Sequence, residues 1–172
     1  MKDAAEEQGD TRLKSLTAMV CSALAAIGLY GCDLALSDLK PGVSTGYEVR
    51  DRMGPPTMEW RNEDGSLTWE YARTPEGTVN YMIHIGADNI LRSIEQVLTE
   101  ENFARVRPGM TRDEIRHLLG KPAHVTRLDL KRQEVWDWKY QNPFPNIDTY
   151  FNVHFDQSGL VVETSRHEDP KN

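Results

Sequence analysis

His84 and His154 stand 70 residues apart in matching surroundings, Tyr81-x-Ile83-His84-Ile85 and Phe151-x-Val153-His154-Phe155. A repeated imidazole invites a metal reading, but a structural site wants three or four ligands. No cysteine accompanies either histidine. Asp156 follows the second motif, whereas Gly86 occupies the matching place in the first. Both histidines fall on the non-apolar face of an alternating strand, so the sequence predicts polar-face side chains and no metal. Nucleophilic chemistry has no better footing. There is no Gly-x-Ser-x-Gly elbow, no Gly-rich phosphate loop, and no carboxylate pairing suited to acid–base work. The chain reads as non-catalytic and without a cofactor.

Cysteine chemistry is a different matter. Leu16 to Leu29 is an apolar run with no charge between Ser15 and Gly31, preceded by Arg12 and Lys14. It is shorter than the roughly 20 apolar residues of a spanning helix and fits the core of an export signal. It ends in Leu29-Tyr30-Gly31-Cys32, which resembles the lipobox of bacterial lipoproteins. That resemblance implies cleavage before Cys32 and acylation of its thiol and new amino group. Cys21 then leaves with the signal (residues 1–31), and the remaining thiol is modified instead of lying free in an oxidising compartment. Several acyl chains give stable attachment to a bilayer.

The composition narrows the rest. The 172 residues carry 27 acidic and 20 basic side chains, a net charge of −7 and two cysteines. An acidic chain lacks the basic excess that a phosphate backbone requires, so nucleic acid is not a partner. Two cysteines cannot staple a disulfide scaffold. A mean hydropathy of −0.61 excludes a polytopic membrane protein.

Self-comparison shows one unit written twice. Leu39-Lys-Pro-Gly42 is echoed by Val106-Arg-Pro-Gly109, Thr45-x-x-Glu48 by Thr111-x-x-Glu114, and Met53-Gly54-x-Pro56 by Leu119-Gly120-x-Pro122. Trp69-x-Tyr71 matches Trp138-x-Tyr140, followed by the two histidine motifs. The order is kept with small drift, as in a tandem duplication whose loops have changed length. In each copy Thr and Glu form a capping box at a helix start. Gly54 and Gly120 suit a left-handed helix stop, and Pro56 and Pro122 prevent continuation. Thr99 to Val106 predicts a short helix before the second capped helix; Leu36 to Leu39 predicts a lesser counterpart. Alternation then predicts strands around Leu67–Tyr71, Tyr81–Ile85 and Ile90–Val97, and around Trp136–Tyr140, Phe151–Phe155 and Leu160–Thr164. The expected fold is α+β: two tandem units, residues 32–98 and 99–172, each with two short helices on a three- to four-stranded antiparallel sheet. One such unit buries a marginal core, which gives a physical motive for pairing two.

Trp136, Trp138 and Tyr140 share one strand face and read first as core, with partner or lipid contact as the sharper alternative. Phe144, between two prolines in Gln141–Thr149, is a separate candidate contact. Arg105, Arg107 and Arg112 gather around the turn between copies and read as solvated surface or as anionic-headgroup contacts.

The run from Val106 to Pro122, with Pro108, Gly109, Met110, Thr111, Glu114, Gly120 and Pro122, followed by Val135 to Tyr140, resembles the SmpA/OmlA (BamE-like) family of outer-membrane assembly lipoproteins. The second copy carries the likeness over residues 99–165; the first is looser, with Val43 for the motif methionine and Arg52 for an apolar helix residue. The resemblance implies a periplasm-facing, lipid-anchored accessory protein of outer-membrane β-barrel assembly, working around BamA and BamD. It also implies binding of anionic phospholipid in some members. Tandem copies resemble the β-lactamase inhibitor protein architecture as well, which implies the alternative of an envelope protein-binding or inhibitor module with another partner. The outer membrane is expected by family, and Asp33 keeps the inner membrane as the second expectation.

Overall fold

The computed structural model describes residues 36–171; Leu29, Tyr30, Gly31 and Cys32 lie outside them. Among the described residues no helix is long and apolar enough to cross a membrane. The chain forms two similar units. The first contains helix α1 (Gly46–Met53) and strands β1 (Met58–Arg61), β2 (Leu67–Ala72), β3 (Asn80–Ile85) and β4 (Leu91–Gln96). The second contains α2 (Glu100–Phe103), α3 (Arg112–Leu119), β5 (His124–Leu128), β6 (Gln133–Tyr140), β7 (Ile147–Phe155) and β8 (Val161–Pro170). Each set of strands is an antiparallel meander, ordered β1-β2-β3-β4 and β5-β6-β7-β8. The sheets are separate, not one continuous sheet.

The helix starts follow the sequence. Thr45 and Thr111 each accept from the backbone N–H three residues on, and Glu48 and Glu114 return the bond to the cap residue's N–H. These bonds hold both glutamate carboxyls below their ordinary range, the backbone bond to threonine being the larger cause. Both helices stop at glycine, but not in the left-handed helical basin that the sequence suggests. Gly54 has φ 76, ψ −168 and Gly120 φ 75, ψ −166. That is the positive-φ extended region, which is open essentially to glycine alone.

Gly120 carries a second constraint. A Cβ there would lie 2.9 Å from Asn80 Nδ2, whereas at Gly54 it would meet nothing within 4 Å. We expect Gly120→Val to cost more than about 1 kcal/mol from backbone strain alone. Gly54→Val should cost less, because it lacks the collision. Paired urea titrations would check this, and equal losses would count against the role given to Asn80.

Each helix seals its own sheet. Val49 of α1 lies over Trp69, Tyr71, Ile83, Ile85 and Leu91; Ile115 and Leu119 of α3 lie over Trp138, Phe151, Val153, Phe155 and Val161. The structure adds β1 and β5, short strands with mostly exposed side chains whose patterns are weak, and extends β8 beyond Thr164 to Pro170.

It also corrects one correspondence between the units. The repeated Trp-x-Tyr pairs Trp69 with Trp138 by letter, but the strands align Trp69 with Trp136 and Tyr71 with Trp138. Trp69 lies opposite Ile83, and Trp136 opposite Val153. Tyr71 Oη donates to Gly54 O, and Trp138 Nε1 donates to Gly120 O, each at 3.0 Å. Burial pushes the Tyr71 hydroxyl up to about 12. The two residues thus do one job, satisfying the carbonyl of the helix-stop glycine.

Candidate partner-binding surfaces

The best-built polar feature joins the two units. Glu70, on the face of the first sheet turned away from α1, is fully buried. It accepts from Arg116 Nε at 2.8 Å, Arg116 Nη2 at 3.2 Å and the backbone N–H of Lys121 at 3.0 Å. Beside it, Asn80 Nδ2 donates to Leu119 O at 2.9 Å and Lys121 O at 3.0 Å. Three successive carbonyls at the end of α3 are therefore satisfied: two by the first unit, and Gly120 O by Trp138. Trp60 on β1 packs on the His117 ring with centroids 4.3 Å apart. The helix of the second unit is thus held between its own sheet and the far face of the first.

Sequence reading did not find Glu70, Asn80 or Arg116. A signal was present: Glu70 is a charge inside the apolar run Leu-Thr-Trp-Glu-Tyr-Ala, where a strand buried on both faces puts a paired or bonded group.

Next to this joint lies a groove of about 670 Å³. Its floor is Met82; Glu95 and Val97 form one side, and Met110, Glu114 and Leu118 the other. His84 lines it too, bonded to Thr68 Oγ1 at 3.2 Å and 3.8 Å from Glu95. His154 occupies the matching place in the second unit, against Ser165 Oγ at 2.8 Å, and burial holds its imidazole below the usual range. The two histidines are therefore in separate surroundings. Among the described residues no three His, Cys, Asp or Glu side chains gather to hold a metal.

The family-motif residues take backbone roles. Pro108 and Gly109 make the turn into α3; Gly109 N donates to Val161 O and Val161 N to Met110 O. Thr111 and Glu114 cap α3, Gly120 stops it, and Pro122 is buried just beyond. Of the four aromatic candidates, Trp138 is fully buried, and Trp136 and Tyr140 pack partly buried against the same core. Trp138 therefore cannot reach a partner from its place, which corrects its reading as a contact. Trp136 and Tyr140 spend their packing faces on Phe155 and Phe103.

Phe144 is 61% exposed. Its loop is braced beneath it, with Asn142 Nδ2 donating to Ile147 O, Lys171 Nζ to Pro145 O and Lys171 N to Asn146 O. Each of the three arginines has its own local partner. Arg105 bonds Asn102, Arg107 bonds the carbonyls of Ala104 and Val106, and Arg112 bonds Glu134 at 2.9 Å.

These features describe an α+β protein of two helix-on-sheet units that offers surfaces for contact. Residues 95–165, from the end of β4 into β8, match the family described as the outer membrane protein assembly factor BamE domain. The match falls on the second unit. No curated protein matches the chain. Among solved structures, a putative beta-lactamase inhibitor protein from Streptococcus mutans is similar at 13% identity, covering 78% of this chain and 94% of that one, with a TM-score of 0.33. A DUF4309 family protein (YjgB) from Bacillus subtilis subsp. subtilis str. 168 is similar at 14% identity, covering 78% and 83%, with a TM-score of 0.30.

Proposed function

We propose that this chain is a lipid-anchored, periplasm-facing accessory protein of outer-membrane β-barrel assembly, acting by binding and not by catalysis. The observation that carries the reading is the BamE-domain match over residues 95–165. The export signal read over residues 1–31 is in keeping with it, and Cys32, acylated after cleavage, carries the anchor, with the outer membrane as destination. On this reading the two units are a tandem duplication, residues 32–98 and 99–172. They form a rigid scaffold that contacts the BamA and BamD components, and anionic phospholipid where the surface meets the bilayer. Phe144, exposed on its braced loop, is the side chain to which we assign such a contact.

The test is a pull-down of full-length, C-terminally tagged protein from gently solubilised membranes, with Cys32→Ser alongside. Barrel-assembly proteins should co-purify with the wild type, and the variant should leave the membrane fraction. Recovery of a different envelope protein in their place would make the chain a binding module that shares only the fold.

A further inference from the structure

The two sheets are equivalent, but among the described residues a helix lies on the far face of the first alone. Gly54 N donates to Arg50 O and Gly120 N to Arg116 O, so Arg50 and Arg116 hold the same place on their helices. Thr57 N donates to Glu70 O and Ala123 N to Asp137 O, both at 2.7 Å, just after the helix stops. Asp137 is therefore the counterpart of Glu70. In the first unit that carboxylate receives Arg116 from the helix lying on the sheet. In the second unit, among the described residues, no helix supplies a base to Asp137 and the carboxylate forms no ion pair, the nearby Lys139 being taken by Asp148.

The surroundings of Asp137 are those of a covered face. Asn152, directly opposite it, is 6% exposed, and His154 is 8% exposed. Asn152 Nδ2 donates to Ser165 Oγ and also contacts His167 Nδ1 at 3.0 Å, while its Oδ1 is buried without a hydrogen-bond partner; His154 Nδ1 makes no hydrogen bond and lies 3.8 Å from the Glu163 carboxylate. Flanking them, His124, Thr126, Glu163, Ser165 and His167 are exposed, and the hydrogen bonds of this face stay within the sheet. Burial raises the Asp137 carboxyl above its ordinary range, against the opposing pull of His167, His124 and His154. A buried acceptor such as Asn152 Oδ1 ordinarily has a donor, and among the described residues the half-buried Asp137 carboxylate beside it has none of its own.

We propose that the far face of the second sheet, centred on Asp137 and Asn152, receives a helix of another protein that presents an arginine or lysine, as the first sheet receives α3 through Glu70 and Arg116. A second copy of this chain is the less fitting occupant. Its Arg50 is already engaged by Glu59 and lies over the Trp69 ring at 4.4 Å. The position matching Asn80, which grips the helix end in the first unit, is Tyr150, stacked on His167 with centroids 4.5 Å apart. The position matching Trp60 is Thr126. The inference does not depend on the assembly reading, because it asks only what chemistry the face accepts.

The test uses a stapled 14-residue helical peptide with one central arginine flanked by leucines, titrated into the full chain and followed by amide NMR. Shifts should concentrate at Asp137, Asn152, His154 and Ser165. An otherwise identical peptide with glutamate in place of arginine should bind at least tenfold more weakly. Asp137→Asn, which keeps the shape of the side chain, should lose the same factor for the arginine peptide without lowering the melting temperature. Equal binding of the two peptides, shifts confined to the groove beside Met82, or no binding would overturn the proposal. So would a concentration-dependent oligomer of the chain alone that Arg50→Glu abolishes, since the occupant would then be a second copy.

Discussion

Glu70→Ala should destabilise the protein by about 3–5 kcal/mol, the range for breaking one side of a buried ion pair. The loss has three sources. Arg116, whose side chain is only 22% exposed, keeps its charge and loses its carboxylate. The backbone N–H of Lys121 loses its acceptor. The joint between the units loses its central bond, and the Asn80 contacts to Leu119 O and Lys121 O and the packing of Trp60 on His117 remain beside it. For a chain of this size the loss corresponds to a fall in melting temperature of roughly 6–20 °C. Glu70→Gln keeps an acceptor and should cost clearly less.

A double variant separates the charge from the packing. Glu70→Leu with Arg116→Met removes both charges and restores apolar contact. It should recover most of the loss, because well-packed apolar residues often match a buried ion pair. If Glu70→Ala instead unfolds with an unchanged midpoint, the two units stand independently and the joint contributes little. Urea titration of all four proteins would decide, with the denaturant slope reporting whether unfolding remains one cooperative step.

The joint also shows what could be read from the chain. The helix starts were legible because a capping box is a local device: Thr45 with Glu48 and Thr111 with Glu114 need only each other. The three later strands of each unit were legible because one face alternates apolar residues. The far face of the first sheet was not legible, since Glu70, Asn80 and Met82 are buried by a helix 30 to 50 positions away, and no local period records that. The Trp-x-Tyr echo misled for a related reason. Identity of letters favoured Trp138 as the partner of Trp69, while the hairpin after Gly120 is one residue longer than the one after Gly54 and sets Trp136 there. Register is fixed by turn and pairing, and a shift by two keeps the same face, so hydrophobic alternation cannot detect it. Phe144 was visible as an oddity in sequence, but its exposure depends on Lys171 and Asn142 bracing the loop from below.

Trp138→Ala is expected to cost about 3–5 kcal/mol, as for other fully buried tryptophans cut to alanine. Trp138 is fully buried among Ile115, Leu119, Phe151 and Val153. Removing the indole leaves a cavity between α3 and the second sheet. It also removes the donor to Gly120 O, and a buried carbonyl without a partner adds to the cost. That carbonyl lies between Leu119 O and Lys121 O, both held by Asn80, so slack at the helix end reaches the inter-unit joint. The comparison that gives the measurement its meaning is Trp136→Ala. Trp136 is partly buried and sends its N–H to the Glu134 carboxylate at 2.8 Å, so its loss should be smaller. Trp138→Phe should fall between them, keeping most of the packing and losing the bond. If Trp138→Ala left the melting temperature unchanged and altered only partner binding, the indole would belong to a contact surface and its assignment to the core would be wrong. The burial of both its faces and the bond to the helix-stop carbonyl argue for the opposite result, in which stability falls before any binding can be measured.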